Sequence, residues 1–381
     1  MSITATAQKV LTVPNISLSS GAFGTVRQPS GRLVTAYGVG SDDFPYPNTG
    51  IWLYSDDSGL TWNSLSSTDG VPGQTFLFPT NVHAGVIVSP TYNLPAGTPK
   101  IIRSTNGGAS WSTVFGPVSS SGRAAGINGC QSYGNGSVVA WGELSGVGTD
   151  PPKIFGTSTD GGATWTAHTS WDVGDKFDYC NALGIAEEGN WYAQYTKKGG
   201  INRTSNFART TDFGSTWTTL GTPPGGTGTP TNYANAITCF DPTHLAMCGT
   251  ITYASFVGPP GVWWSDDAGS TLNLVSSSDI VNCPTSGTTV QGLEVKRLTK
   301  DACILAFDQQ TGSAGSPWRV SLDQGQTYPI EVTPSGSSWQ VYQAPFGKMV
   351  VTLDGFILGW LWQSFDYTTA DLSLWRITLH V

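Results

Sequence analysis

The chain of 381 residues has little charge, and most of that charge is negative. Charged residues make up 12% of the sequence, and 18 Lys and Arg face 26 Asp and Glu, which gives a formal net charge of −8. The basic residues are scattered along the chain, so the sequence offers no positive stripe that would neutralise phosphate groups. Nucleic acids and anionic membrane surfaces are therefore poor candidates as partners.

Long apolar runs and metal-type motifs are also missing. No run of about 18 apolar residues occurs, and residues 1–9 lack the charged start and the apolar segment of a secretory signal. We therefore expect a soluble protein that is made in a cytosol. The four His residues are not clustered, and Walker, HExxH and Gly-x-Ser-x-Gly motifs are not found. The sequence predicts no metal site and no cofactor.

The six cysteines include no pair with the CxxC spacing of a metal site. They are Cys130, Cys180, Cys239, Cys248, Cys283 and Cys303. We expect most of them to be buried thiols. Cys239 and Cys248 flank a four-residue turn and would lie diagonally across a hairpin, so a disulfide between them is an alternative that the spacing does not favour.

Glycine and aromatic residues are abundant, and a motif built from them repeats along the chain. The 48 Gly and 15 Trp are typical of many short strands joined by tight turns. The pattern Ser-x-Asp-x-Gly-x-Thr-Trp occurs at residues 55–62 and 158–165, and variants begin at Ser104, Thr210, Ser265 and Ser321. Their Asp or Asn positions are 49, 54, 52, 55 and 56 residues apart, and a degraded seventh match covers residues 364–368. This period is typical of one four-stranded propeller blade.

The motif resembles the Asp-box of sialidases and related propellers, and its repeats cover nearly the whole chain. The resemblance implies an all-β fold, a seven-bladed β-propeller of four-stranded antiparallel blades with Asp-box turns. We predict a single domain over residues 1–381, in which residues 1–20 form an N-terminal latch strand that joins the last blade. In the families it resembles, the box lies opposite the ligand site, so Asp57, Asp160 and Asp212 are interpreted as structural.

The chemistry of a tight turn accounts for the motif. Asp accepts hydrogen bonds from the backbone N–H groups that follow it, Gly adopts a positive φ, and the hydroxyl groups hold the flanking strand. The Trp or Tyr at the end of the motif would then fill the seam between blades.

A ligand site is expected on the face away from these turns. The long connectors between the second and third strands, such as residues 142–152, would form its rim, and residues near the start of each innermost strand would face a central funnel. The residues that we expect to bind a ligand are Arg27, Asn81, His83, Arg123, Tyr179, Tyr233, Gln291, Trp339 and Tyr342. Amides and aromatic rings suit a neutral sugar. The alternative is that they only line a water-filled channel.

An enzymatic alternative is a glycoside hydrolase, which needs two carboxylates. Asp178 with Asp42 or Asp43 would be the catalytic pair. A sialidase-like enzyme would instead use a Tyr nucleophile, for which Tyr342 or Tyr233 with Glu294 is the candidate.

A sialidase would also need several arginines to bind the carboxylate of its substrate. Arg27, in Val-Arg-Gln-Pro, looks like a degraded form of the Arg-Ile-Pro motif of that family. Arg27 and Arg123 are the arginines expected in the funnel, because Arg103, Arg209 and Arg319 are predicted in third strands near the boxes. A clamp of three arginines cannot be assembled.

These observations favour binding over catalysis. A propeller with low charge and no secretion signal is typical of a tailed-bacteriophage virion protein or another surface-displayed module. We predict a non-enzymatic binding or structural propeller on a virion that recognises a glycan or a neighbouring protein, without membrane insertion. A glycoside hydrolase of the Asp-box type is the alternative. A third is an assembly factor of the kind that some photosynthetic organisms build from similar repeats.

Overall fold

The structure is a computed structural model that describes residues 4–17, 21–39, 49–65, 75–76, 80–83, 85–92, 100–116, 127–145, 153–168, 177–187, 189–197, 204–224, 233–251, 260–283, 290–309, 318–334, 349–364 and 369–380. In these residues the secondary structure is strand apart from one 3₁₀ turn at Ser277–Asp279. No helix of the described part is long and apolar enough to cross a membrane. The chain forms two compact units, unit 1 with Met1–Ala7, Ser170–Ala344 and Leu379–Val381, and unit 2 with Gln8–Thr169 and Pro345–Thr378.

The first strand is β1 (Thr4–Ser17), and three antiparallel sheets of unit 2 follow it. One sheet contains β2 (Gly21–Arg27), β3 (Leu33–Val39), β4 (Thr49–Ser55) and β5 (Asn63–Ser64). The next contains β6 (Thr75–Phe76), β7 (Thr80–His83), β8 (Val86–Tyr92), β9 (Lys100–Ser104) and β10 (Ser112–Phe115), with β6 and β7 both paired to β8. The third contains β11 (Ile127–Gly134), β12 (Ser137–Ser145), β13 (Lys153–Ser158) and β14 (Thr166–His168).

Unit 1 contains two four-stranded sheets and a third run of four strands, in the same order, that is part of an eight-stranded sheet. The first has β15 (Phe177–Glu187), β16 (Asn190–Lys197), β17 (Thr204–Thr210) and β18 (Thr218–Gly221). The second has β19 (Tyr233–Cys239), β20 (Leu245–Thr250), β21 (Pro260–Ser265) and β22 (Asn273–Leu274). The third has β23 (Val290–Arg297), β24 (Cys303–Gln309), β25 (Trp318–Ser321) and β26 (Ile330–Pro334). Sequential antiparallel pairing gives each sheet the form of a meander.

The last strands are β27 (Val350–Val351), β28 (Ile357–Ser364) and β29 (Thr369–His380), and β1 lies beside β29 in the strand order. In unit 1, residues 5–7 of β1 pair in parallel with residues 332–334 of β26, and Thr6 Oγ1 is 2.8 Å from His380 Nε2. In unit 2, the Lys9 ammonium lies 5.5 Å from the ring centroid of Trp375. The N-terminal segment is thus a strand, whereas the single domain over residues 1–381 stays a prediction.

Within each unit, the core lies between successive sheets. The second strand of each sheet is buried over most of its length, as in Leu245 to Gly249 of β20. Strands that are covered on both faces read as continuous apolar runs rather than as an alternation of apolar and polar residues. Between two neighbouring sheets of unit 1, for example, Tyr192 and Phe207 of one sheet pack with Met247 and Trp263 of the next.

Six turns join the third and fourth strands of their sheets, and we call them the repeat turns. They cover residues 55–62, 104–111, 158–165, 210–217, 265–272 and 321–328. In the turn at 158–165, Ser158 Oγ donates to Asp160 Oδ1 at 2.8 Å and accepts from Gly162 N at 2.9 Å, while Thr164 N donates to Asp160 Oδ1 at 2.9 Å. The same three hydrogen bonds recur in the other five turns. The predicted turn chemistry is confirmed.

The repeat turns share an edge of each sheet with the turns between first and second strands. Gly107 N donates to Gly85 O at 2.8 Å, and Gln324 N donates to Asp301 O at 2.7 Å. We call this the repeat-turn edge and the opposite one the connector edge. The segments between second and third strands leave from the connector edge, as predicted, although most of their residues lie outside the described ones.

The seventh match does not occupy the position of the other six. Ser364 ends β28 and Thr369 begins β29, so the match falls between the second and third strands of its sheet, counted from β27. Residues 365–368 lie outside the described residues. A shorter turn of similar bonding joins β27 to β28, where Thr352 Oγ1 donates to Asp354 Oδ1 at 2.8 Å and accepts from Phe356 N at 2.9 Å.

We expect the repeat turns to make the fold sensitive to acid. Hydrogen bonds from the side chain and backbone of Thr164 lower the pKa of Asp160 from 3.8 to about 2. A carboxyl whose pKa is lower in the folded than in the unfolded chain stabilises the fold above pH 4, and this contribution is lost as the pH falls through 2. Asp160→Asn should therefore weaken the pH dependence of unfolding in that range, measured by urea unfolding at pH 7, 4, 3 and 2.5.

The turn at 104–111 provides the converse variant, because it has Asn106 where the other five have Asp. Asn106 Nδ2 donates to Ser110 Oγ at 2.8 Å, so an Asp would accept that bond instead, as Asp160 Oδ2 does from Thr164 Oγ1 at 2.6 Å. Asn106→Asp should steepen the loss of stability between pH 4 and 2. Identical pH profiles for Asn106→Asp, Asp160→Asn and the unaltered chain would contradict this account.

Candidate functional site

Several predicted site residues lie outside the described residues. These are Asp42, Asp43, Arg123, Trp339 and Tyr342. Their roles stay predictions.

Three other predicted ligand residues lie toward the repeat-turn edge rather than the connector edge. Arg27 ends β2, and its Nη1 donates to Val351 O at 2.9 Å. His83 ends β7, and a Cβ atom on Gly161 of a repeat turn would lie 2.9 Å from His83 Nε2. Asn81 pairs with Ile87, and Ile87 pairs on its other side with Ser104, the first residue of a repeat turn. First strands run from the connector edge toward the repeat turns, so Arg27 and His83 lie at the far ends of theirs. That the three residues bind a ligand stays a prediction.

Tyr179, Tyr233 and Gln291 occupy equivalent positions on three neighbouring strands, and we call them the entry row. They pair with Thr196, Thr250 and Asp308. In each sheet, one residue of the second strand pairs with the first Ser or Thr of the repeat turn. Each partner of the entry row lies five residues after that second-strand residue. Since β19 lies against both β15 and β23 in unit 1, the three backbone positions form a row at the connector edge. That these residues bind a ligand stays a prediction.

A second row follows directly, and it consists of β-bulges. Asn181, Asn235 and Leu293 are each the extra residue of a bulge in β15, β19 and β23, and we call them the bulge row. Each bulge lies opposite two consecutive residues of the second strand. These are the third and fourth residues after the one that pairs with the first Ser or Thr of the repeat turn. In unit 2, Asn128 is the bulge residue at the same position of β11. Bulges re-aim side chains and are over-represented next to active sites.

The residues that follow the three bulges pair with buried residues of the second strands. Gln194, Cys248 and Ala306, which pair with the residues after the three bulges, are 0%, 0% and 7% exposed. Packing of this kind fixes the backbone of a site before a ligand arrives.

Two carboxylates flank the rows. Asp178 is the extra residue of a further bulge in β15, just before Tyr179. Glu294 follows the bulge at Leu293 and is buried, 9% exposed. Burial raises the pKa of the Cys248 thiol well above its ordinary value, and the nearby Glu294 carboxylate raises it further. Asp42 and Asp43, the predicted catalytic partners of Asp178, lie outside the described residues.

The predictions for arginine and cysteine are confirmed in their placement. Arg103, Arg209 and Arg319 lie in the third strands β9, β17 and β25. All six cysteines are free thiols, and five of them are buried. Among the described residues, no three His, Cys, Asp or Glu side chains are grouped as metal ligands would be.

Sequence reasoning missed Asn181 and Asn235, although a signal was present. Asn followed by a small residue recurs as Asn128-Gly129, Asn181-Ala182 and Asn235-Ala236. These pairs are 53 and 54 residues apart, which matches the spacing of the repeat turns.

No family model matches the chain, and no curated protein matches it in sequence. A solved structure of YCF48 bound to a D1 peptide is similar over 96% of this chain and 95% of that chain, at 14% identity and a TM-score of 0.57. The fold is a β-propeller. The predicted propeller of four-stranded antiparallel sheets is thereby confirmed, and the count of seven blades stays a prediction.

Two further solved structures are more distant from this propeller. The α-L-arabinanase of Penicillium chrysogenum complexed with arabinobiose is 11% identical, with a TM-score of 0.45, over 96% of this chain and 98% of that chain. The GH93 α-L-arabinofuranosidase of Fusarium graminearum with arabinobiose is 13% identical, with a TM-score of 0.45, over 95% of this chain and 97% of that chain. At such identities the likeness concerns the fold alone.

Proposed function

We propose that this propeller is a non-enzymatic binding protein that recognises a neutral glycan at the connector edge of unit 1. The observation that carries the proposal is the equivalent register of the entry row and the bulge row on β15, β19 and β23. Five of the six side chains are amides or tyrosines, and none is charged. Amides donate and accept hydrogen bonds, and aromatic rings stack on the C–H faces of sugars, so the set suits hydroxyl-rich, uncharged ligands.

The test is a glycan array combined with a panel of chromogenic glycosides. We expect the chain to bind neutral glycans and release no chromophore. Asn235→Ala should lower the binding about tenfold, because one buried hydrogen bond contributes about 1–1.5 kcal/mol. Asn273→Ala is the matched control, because Asn273 lies on β22, the outermost strand of the same sheet. Binding that is equally weak in both variants would contradict the proposed site.

A glycoside hydrolase is the second candidate, and the position of Asp178 at the connector edge of β15 favours it. A hydrolase needs one carboxylate as acid and another as base or nucleophile, and Asp42 or Asp43 is the partner that the sequence predicts. Chromophore release that is abolished in both Asp178→Asn and the double variant Asp42→Asn/Asp43→Asn would support this candidate and overturn the binding-only proposal.

Two finer statements belong to the same proposal. We propose that the repeat turns are Asp-boxes, because the hydrogen bonds expected of that motif recur in all six. We also propose a place on the virion of a tailed bacteriophage, where the site would bind a glycan of the host surface. This location rests on composition, and mass spectrometry of purified particles would test it.

A further inference from the structure

The two rows repeat the same residues at the same level of β15 and β19, whereas β23 differs. The entry row reads Tyr, Tyr, Gln and the bulge row reads Asn, Asn, Leu, from β15 through β19 to β23. A ligand that meets only β15 or only β19 leaves the equivalent residues of the other strand unused. A ligand that meets both strands has to present similar groups at a regular interval.

The interval follows from how sheets pack. Stacked sheets lie about 10 Å apart face to face, so equivalent residues of neighbouring blades are separated by a distance of that order. A single sugar ring is shorter than this interval. A chain of several sugar units is needed to reach from β15 to β23.

The ends of the rows differ from their middle. Asp178 lies at the β15 end, and Glu294 follows Leu293 at the β23 end. The uncharged residues between them favour a neutral chain whose middle units contact Tyr233 and Asn235. The positions of Tyr179 and Asn181 lie one strand to the side of that middle, on β15.

We infer that the site takes an extended neutral oligosaccharide of repeating units, which lies across β15, β19 and β23 and contacts Asn181 and Asn235 with different units. This inference rests on the proposed function, since it assigns a length and a direction to the ligand of the same site. When one ligand chain makes several such contacts, its affinity exceeds the affinity that each contact would give alone.

The experiment is a calorimetric titration of the whole chain with xylo-, cello- and arabino-oligosaccharides of two to eight units. In at least one series we expect affinity to rise about tenfold or more between two units and about six, and then to stay constant. Asn181→Ala and Asn235→Ala should each lower affinity for the hexamer about tenfold, whereas the dimer should respond strongly to only one of them. Asn273→Ala and the urea midpoint of each variant control for folding.

Three outcomes would overturn the inference. A dimer that binds as tightly as the hexamer would exclude the extended ligand, and so would equal responses of dimer and hexamer to both Asn variants. If no member of the three series binds but the protein binds a single-residue or branched glycan on the array, the inference is overturned and the proposed function stands. If the protein also binds no glycan on the array, the proposed function itself is rejected.

Discussion

Replacing Arg319 with methionine is expected to lower the free energy of unfolding by about 3–5 kcal/mol. The arginine is 2% exposed. Its guanidinium donates to the carbonyl oxygens of Val281 at 2.5 Å, Trp318 at 2.9 Å and Asn282 at 3.0 Å. Arg319 Nη2 also lies 3.4 Å from Glu331 Oε1. Methionine keeps much of the apolar volume but leaves the three carbonyl oxygens without the guanidinium that donates to them, and unpaired acceptors are costly when buried. Glu331 still accepts from Asn282 Nδ2 at 2.6 Å.

The matched control is Arg209→Met, a third-strand arginine with fewer contacts to lose. Arg209 is half-buried, donates to Asn190 Oδ1 at 3.0 Å, and lies 5.6 Å from the ring centroid of Tyr192. Its replacement should cost about 1 kcal/mol, the size of one part-buried hydrogen bond with a cation–π contact. Urea unfolding of both variants checks the difference, and losses of equal size would show that burial of Arg319 does not matter.

Replacing Gly325 with alanine is expected to destabilise the propeller by about 2–5 kcal/mol, from two separate causes. The residue has a φ of +89°, which costs an L-residue about 1–2 kcal/mol. An added Cβ would also lie 2.7 Å from the Cβ of Ala246 in the neighbouring sheet. A Cβ cannot rotate away, so the two sheets would have to separate, and overpacking of a core costs about 1–3 kcal/mol.

Gly355→Ala separates these causes. Gly355 has a nearly equal φ of +86°, and an added Cβ there would meet no atom within 4 Å. This control should lose only the 1–2 kcal/mol of the backbone conformation. If urea unfolding gave the same loss for both variants, close packing of the repeat turn on the neighbouring sheet would be disproved.

The sequence predicted the repeat turns because their chemistry is local. Ser158, Asp160, Gly162 and Thr164 are close in the chain, and the hydrogen bonds between them follow from their spacing alone. The period of those turns predicted the sheets, since each turn marks the passage from a third to a fourth strand.

The site was predictable only in part, because its register depends on pairing between strands. Tyr179, Tyr233 and Gln291 were found since they open three strands with clear apolar patterns. Arg27 and His83 lie at the ends of their strands, and the flanking sequence did not mark how far these ends are from the connector edge. A bulge shifts the register by one residue without changing the local composition, so it appears only when the partner strand is known.

We expect ligand to bind where β15, β19 and β23 carry the entry row and the bulge row. Amide hydrogen exchange locates the bound ligand, measured with and without whichever of xylohexaose, cellohexaose and arabinohexaose binds best. Exchange should become slower in residues 177–187, 233–239 and 290–297. Slower exchange confined to the repeat turns, or no change in these three strands, would show that the ligand binds elsewhere.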